Sequence, residues 1–139
     1  MTPEQIEALI IKTGIKWEKI AKNIWDIDDP DDDIPGITFT IEPSEKYGEE
    51  LLKFTVFVCD VPADAKPEFF KEFLRLNFKI EHGAFAMESK SEMAFFDTLE
   101  LKNLDEDEFE ATLRAMMAAP RIFQKRFDIE FYTLGKPQF

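Results

Sequence analysis

His82 is the only histidine in the chain. An imidazole titrates near neutrality, so it is the first residue to weigh as a general base. It stands directly before Gly83 at an expected helix-to-strand junction, where a hydrogen-bonded structural role is the commoner use. Cys59 lies in the most apolar segment, with no basic neighbour to lower its thiol pKa, and reads as a small buried hydrophobe. No serine or cysteine has a G-x-S-x-G context. One histidine and one cysteine cannot make a tetrahedral zinc site. Six acids between Asp26 and Asp33 invite a calcium test. Aligned from Asp31, the loop template takes Asp31, Asp33, Gly36 and Glu42, but Pro35 fills a ligand position and strand-like Thr38-Phe39-Thr40-Ile41 replaces the helix. The run reads as a solvated acidic loop. The glycines stand singly at 14, 36, 48, 83 and 135, which excludes a phosphate-cradling loop. Among 29 acidic residues, chance carboxylate pairs are inevitable and carry no signal. Neither a metal nor a cofactor is expected.

The elements that would position these residues follow from periodicity. Thr2, Pro3 and Gln5 form a helix-start signature, Ile6, Leu9 and Ile10 recur at helical spacing, and Gly14 supplies a stop. Ile15 to Ile27 fits either a helix or a strand. Pro30 and Pro35-Gly36 mark a loop, after which Ile37, Phe39 and Ile41 alternate as a half-buried strand. Leu51 to Val61 is apolar on both faces, the pattern of a central strand covered on two sides. Pro67 opens a second helix with Phe70, Phe73, Leu74 and Phe78 as its expected stripe and Asn77 near its end. Gly83–Glu88 and Met93–Leu101 read as strands joined by Ser89-Lys90-Ser91. Asp105 and Glu108 open a helix with Phe109, Leu113, Met116 and Met117 inward, which Pro120 ends or kinks. Ile122 to Phe131 is compatible with helix or strand. The expected order is α-β-β-β-α-β-β-α plus a C-terminal element: an α+β layer, with an antiparallel or mixed sheet packed against helices.

The 139 residues suit one domain, 1–139, with 45% hydrophobic and 14% aromatic content to fill a core. That composition excludes an intrinsically disordered chain. The net charge of −12 argues against nucleic acid and anionic membrane surfaces as partners. Neither a membrane-spanning run nor a signal-peptide pattern is present, and a single cysteine fits a reducing cytoplasm.

Phe73-Leu74-Arg75-Leu76-Asn77 and His82-Gly83-Ala84-Phe85-Ala86 resemble the helix-end "LLxLN" and following "hGAF" strand of YbjN-domain proteins. The related class I type III secretion chaperones share this layout. Leu99-Glu100-Leu101-Lys102-Asn103-Leu104-Asp105 with Glu108-Phe109 resembles their strand-to-last-helix junction, and Phe54-Thr55-Val56-Phe57-Val58 before Val61-Pro62 their central strand. The likeness runs from about Trp17 to Ala119. It implies a small acidic α+β protein without catalytic residues, commonly homodimeric, that holds an extended segment of a secreted protein or acts as a regulator.

The function expected from residues and resemblance together is non-enzymatic protein binding on apolar sheet and helix surface. Phe57, Phe95 and Phe96 are the candidate partner-binding residues, because Met93-Ala94-Phe95-Phe96 breaks clean alternation and leaves bulk facing away from a single core. The partner is another protein, the working unit a homodimer. The rivals are a dimeric regulator or scaffold that holds no client, and an enzyme using His82 with a carboxylate.

Overall fold

Thr2 caps α1 (Pro3–Lys12) as its sequence requires. The Gln5 N–H donates to Thr2 Oγ1 at 3.2 Å, and the Thr2 N–H donates to Gln5 Oε1 at 2.8 Å. Gly14, at φ +72°, turns the chain out of the helix. The computed structural model describes residues 1–32, 34–46 and 48–134, with side chains described as far as residue 125.

The ambiguous stretch after α1 resolves into two strands, β1 (Trp17–Ala21) and β2 (Ile24–Asp29), joined through Asn23 at φ +61°. Asparagine tolerates that left-handed conformation. Trp25 and Ile27 are buried, so period-2 alternation wins over the helical spacing and sends Asp26 and Asp28 to the other face. The expected Asp26–Asp33 loop is corrected accordingly. Its first half is strand, a single 3-10 turn covers Pro30–Asp32, and Asp33 lies outside the described residues.

β3 (Ile34–Pro43), β4 (Glu50–Asp60), α2 (Pro67–Lys79), β5 (Ala84–Met87), β6 (Glu92–Glu100) and α3 (Glu106–Leu134) complete the chain. The protein is α+β, with one six-stranded sheet ordered β1-β2-β3-β4-β6-β5, antiparallel at every pairing. β4 is central, as its apolar run predicted. It is covered on one side only among the described residues, because the helices share a face. That inner face carries Trp25, Ile27, Ile37, Phe39, Ile41, Leu52, Phe54, Val56 and Phe95 against Ile6 and Ile10 of α1 and Phe109, Leu113 and Met116 of α3. Lys12, at the end of α1, pairs with Glu106 at the start of α3.

Two helical expectations need correction. On α2 the buried residues are Phe69, Glu72, Phe73 and Leu76, while Leu74 is 67% and Phe78 94% exposed. The helix carries two apolar stripes: the one through Phe73 is buried, and the other meets the core only through part-buried Phe70. Buried Glu72 is bonded by Arg75 of the same helix. Of the stop or kink expected at Pro120, the stop does not occur, and α3 runs through it. A helix-interior proline costs about 3 kcal/mol. Phe123, one turn further on, stacks on Phe73 at 5.2 Å and holds the continuing segment to the core.

Asn77 does not terminate α2, which runs on to Lys79. Its side-chain amide instead mimics a neighbouring strand. Nδ2 donates to the Phe85 carbonyl at 3.0 Å, and the Phe85 N–H donates to Oδ1 at 2.6 Å. Gly83, at φ +79°, lets the chain reach that clamp, and a Cβ there would meet the Phe95 ring at 2.6 Å. Asn77→Ala would leave two part-buried backbone groups unsatisfied. A loss of about 2–4 kcal/mol in urea unfolding is expected; an unchanged midpoint would show that water replaces the amide.

Candidate functional site

The sheet face opposite the helices is open among the described residues, and its register defines two adjoining rows. Phe57 of β4 stands opposite Ala94 of β6, which stands opposite Ala86 of β5. In the next row Thr55, Phe96 and Ala84 are aligned in the same way. Facing residues on one side of a sheet sit about 5 Å apart. Ala84, Ala86 and Ala94 therefore form a low floor, with Phe57 and Phe96 rising from it. Phe57 is 51% exposed and Phe96 half-buried, while Ala94 is buried although it lies on the open face. The Lys53 ammonium sits 5.6 Å from the Phe96 ring centroid, a cation–π contact at the edge of the trough. Such a surface can seat apolar side chains by dispersion and desolvation.

Of the three phenylalanines expected at an interface, the structure brings Phe57 and Phe96 to this face and removes Phe95. Phe95 is 1% exposed and packs against Phe85 at 4.9 Å between centroids. Alternation along β6 puts adjacent residues on opposite faces, so Phe95 and Phe96 cannot both line one surface.

Two further features were missed in the sequence. The second stripe of α2, Phe70, Leu74 and Phe78, recurs every four residues; Phe70 packs against the core, while Leu74 and Phe78 are exposed. That spacing is legible, but it merges with the buried stripe through Phe73. The sheet also has unequal edges. β5 is clamped by Asn77, whereas all five residues of β1 are exposed, Trp17 and Ile20 included.

The titratable candidates do not assemble. His82 is exposed on the turn between α2 and β5. In the calcium template Asp31 lies on the 3-10 turn, while Gly36 and Glu42 are part of β3, so a strand stands where a helix is needed. No group of three metal-ligating side chains converges among the described residues. Cys59 is buried beside the β-bulge of β4. Burial first, and the Asp60 carboxylate second, push its thiol up to about 12.

Among the described residues, helices shield one face of the sheet and apolar surface is left open on the other. The model of the CesT_Tir_1 family, a type III secretion chaperone family, matches residues 4–125, and the chain belongs to that family. In fold it is similar to a chain of the heterodimeric complex ExoU-SpcU from the type III secretion system of Pseudomonas aeruginosa. The TM-score is 0.63 at 10% identity, over 84% of this chain and 92% of that one, a likeness of fold. No curated protein matches the sequence. None of the described helices is long and apolar enough to cross a membrane.

Cys59 should remain a thiol at neutral pH and react with an aromatic disulfide reagent only after the protein is denatured. Because its folded pKa is raised, its contribution to stability is complete below the ordinary thiol value of 9.0 and is lost as pH climbs towards about 12. Rapid labelling of native protein at pH 7 would contradict the burial.

Proposed function

We propose that this chain is a non-enzymatic chaperone-type module that holds a segment of a partner protein on the alanine-floored trough between Phe57 and Phe96. One observation carries the reading. Phe57, a large aromatic in the central strand, is half exposed over a floor of alanines, on a face that no described element covers. Isolated exposed apolar residues are ordinary, but an aromatic pair flanking small residues makes a concave apolar surface. Membership in a chaperone family supports the same reading. The partner is a protein with an extended apolar segment, held in the cytoplasm, and the net charge of −12 keeps the complex soluble and disfavours nucleic acid.

The working unit in this proposal is a pair of chains joined through α2. Phe70, Leu74 and Phe78 are symmetric about Leu74, so a two-fold axis there sets Phe70 against Phe78 of a second copy and Leu74 against its own equivalent. Burial of a 94%-exposed phenylalanine and a 67%-exposed leucine on each chain would supply the driving force. A YbjN-type regulator would share this pairing without holding a client.

Affinity capture from the native lysate, with wild-type and Phe57→Ser baits compared by mass spectrometry, tests the trough. A stoichiometric partner should be retained by the wild type and fall at least tenfold with the variant, whose melting temperature stays unchanged. Equal capture by both baits sinks the trough, and no partner for a folded bait shifts the reading to the regulator. Light scattering should give twice 16.2 kDa for the wild type and 16.2 kDa for Leu74→Glu. A monomeric wild type would remove the pairing.

A further inference from the structure

A second concave feature lies away from the trough, where the connection between β2 and β3 meets the far part of α3. It is a cavity of about 310 Å³. Small-molecule sites begin at about 300 Å³. α3 contributes Met117, Pro120, Arg121 and Gln124, which recur at helical spacing and so share one face. The other wall holds Asp28 near the end of β2, Pro30 of the 3-10 turn and Pro35 of β3. Three of these residues are prolines. Their rings have almost no rotamer freedom to lose, so a bound molecule gains contact with them at little cost in side-chain order.

The two charges that line this cavity are opposite in sign and do not pair with each other. Among the described residues Asp28 makes no ion pair, either with Arg121 or with Lys16, whose carbonyl accepts the Asp28 N–H. Gly36 leaves the carboxylate open on one side, since a Cβ there would stand 3.9 Å from Asp28 Cγ. Arg121 already takes part in an interaction within the chain, but a guanidinium carries five N–H donors and can serve a second acceptor. Gln124, one turn further along the same face, adds an amide with two more donors. An anion alone would meet Asp28, and a cation alone would meet Arg121. A neutral apolar molecule would leave both charges unmet. A molecule carrying one ammonium and one carboxylate answers both.

We propose that this cavity binds a free amino acid with a large apolar side chain. The ligand's ammonium lies on the Asp28 carboxylate, its carboxylate on the Arg121 guanidinium with Gln124 beside it, and its side chain against Met117 and the three prolines. Charge-assisted hydrogen bonds are the strong ones, and two of opposite polarity fix which way round the ligand sits. A bound amino acid joins β2 to the stretch of α3 on either side of Pro120. Because it recognises the folded chain alone, it raises the unfolding temperature by mass action. No residue of the trough lines the cavity, so the site does not depend on the protein-binding reading.

The test is isothermal titration calorimetry on the purified full chain with L-phenylalanine, glycine, phenethylamine and 3-phenylpropionate. The last three lack, in turn, the apolar side chain, the carboxylate and the ammonium. Phenylalanine should bind one molecule per chain, at least tenfold more tightly than each of them. Asp28→Asn should weaken phenylalanine binding at least tenfold with an unchanged circular dichroism spectrum, and Arg121→Gln should do the same. Phe57→Ser should leave the affinity as it is. If Arg121→Gln does not fold, the comparison of phenylalanine with phenethylamine reads the carboxylate contact in its place. Absence of phenylalanine binding, equal binding of phenylalanine and any one of the three analogues, or full affinity in a folded Asp28→Asn or Arg121→Gln overturns the proposal. Loss of binding through Phe57→Ser would move the ligand to the trough and overturn it too.

Discussion

Three phenylalanine rings seat the last helix on the middle of the sheet. Phe109 of α3 stacks on Phe39 of β3 at 5.7 Å and meets Phe54 of β4 at 5.4 Å, while Phe39 and Phe54 are themselves 5.2 Å apart across the β3–β4 pair. A second group links Phe73 of α2, Phe85 of β5, Phe95 of β6 and Phe123 of α3, at 4.9 to 5.2 Å along the chain of contacts. Aromatic pairs of this kind contribute about 0.5–1.5 kcal/mol each beyond their buried area. Both groups lie on one face. The helices are thereby committed to that side, and the other face must be stable while partly wet. Its threonines, Thr38, Thr40, Thr55 and Thr98, suit that role, because a β-branched hydroxyl fits a pleated surface facing water.

Much of this was legible because the chain states its periods plainly. The capping box of α1, the alternation of Ile37, Phe39 and Ile41, the β5–β6 hairpin and the inward stripe of Phe109, Leu113 and Met116 are local signals, and no distant contact overrides them. The failures lie where two local signals compete. On α2, Phe69, Phe73 and Leu76 compete with Phe70, Leu74 and Phe78, and only Phe85 and Phe123, distant in sequence, decide which stripe is buried. Pro120 reads as a stop or a kink, and only the anchoring of Phe123 in the turn beyond it excludes the stop. Asn77 reads only as a residue near the end of α2, because its pairing with Phe85 crosses from helix to strand.

The candidate site was half legible for the same reason. A broken alternation in Met93-Ala94-Phe95-Phe96 correctly signals that β6 carries bulk on both faces, but it cannot say which phenylalanine faces which way. That parity is set by the pairing of Val56 with Phe95 and of Thr55 with Phe96. Since Val56 is core, Phe95 must be core, and Phe96 must be outside. A shift of one residue in register would exchange them. The alanine floor is less visible still, because Ala84, Ala86 and Ala94 come from two strands and only become a surface once β5 and β6 are paired.

The open face is chemically divided along the sheet. Around β4, β6 and β5 it carries Phe57, Phe96 and the three alanines, with Thr55, Thr98 and Lys53 beside them. Around β1 and β2 it is carboxylate-rich. Preformed surfaces bind without the ordering penalty that a flexible site incurs, so under the proposed function that penalty falls on the partner segment alone. Apolar burial in the trough would hold the segment without regard to direction, because dispersion and desolvation have little orientation dependence.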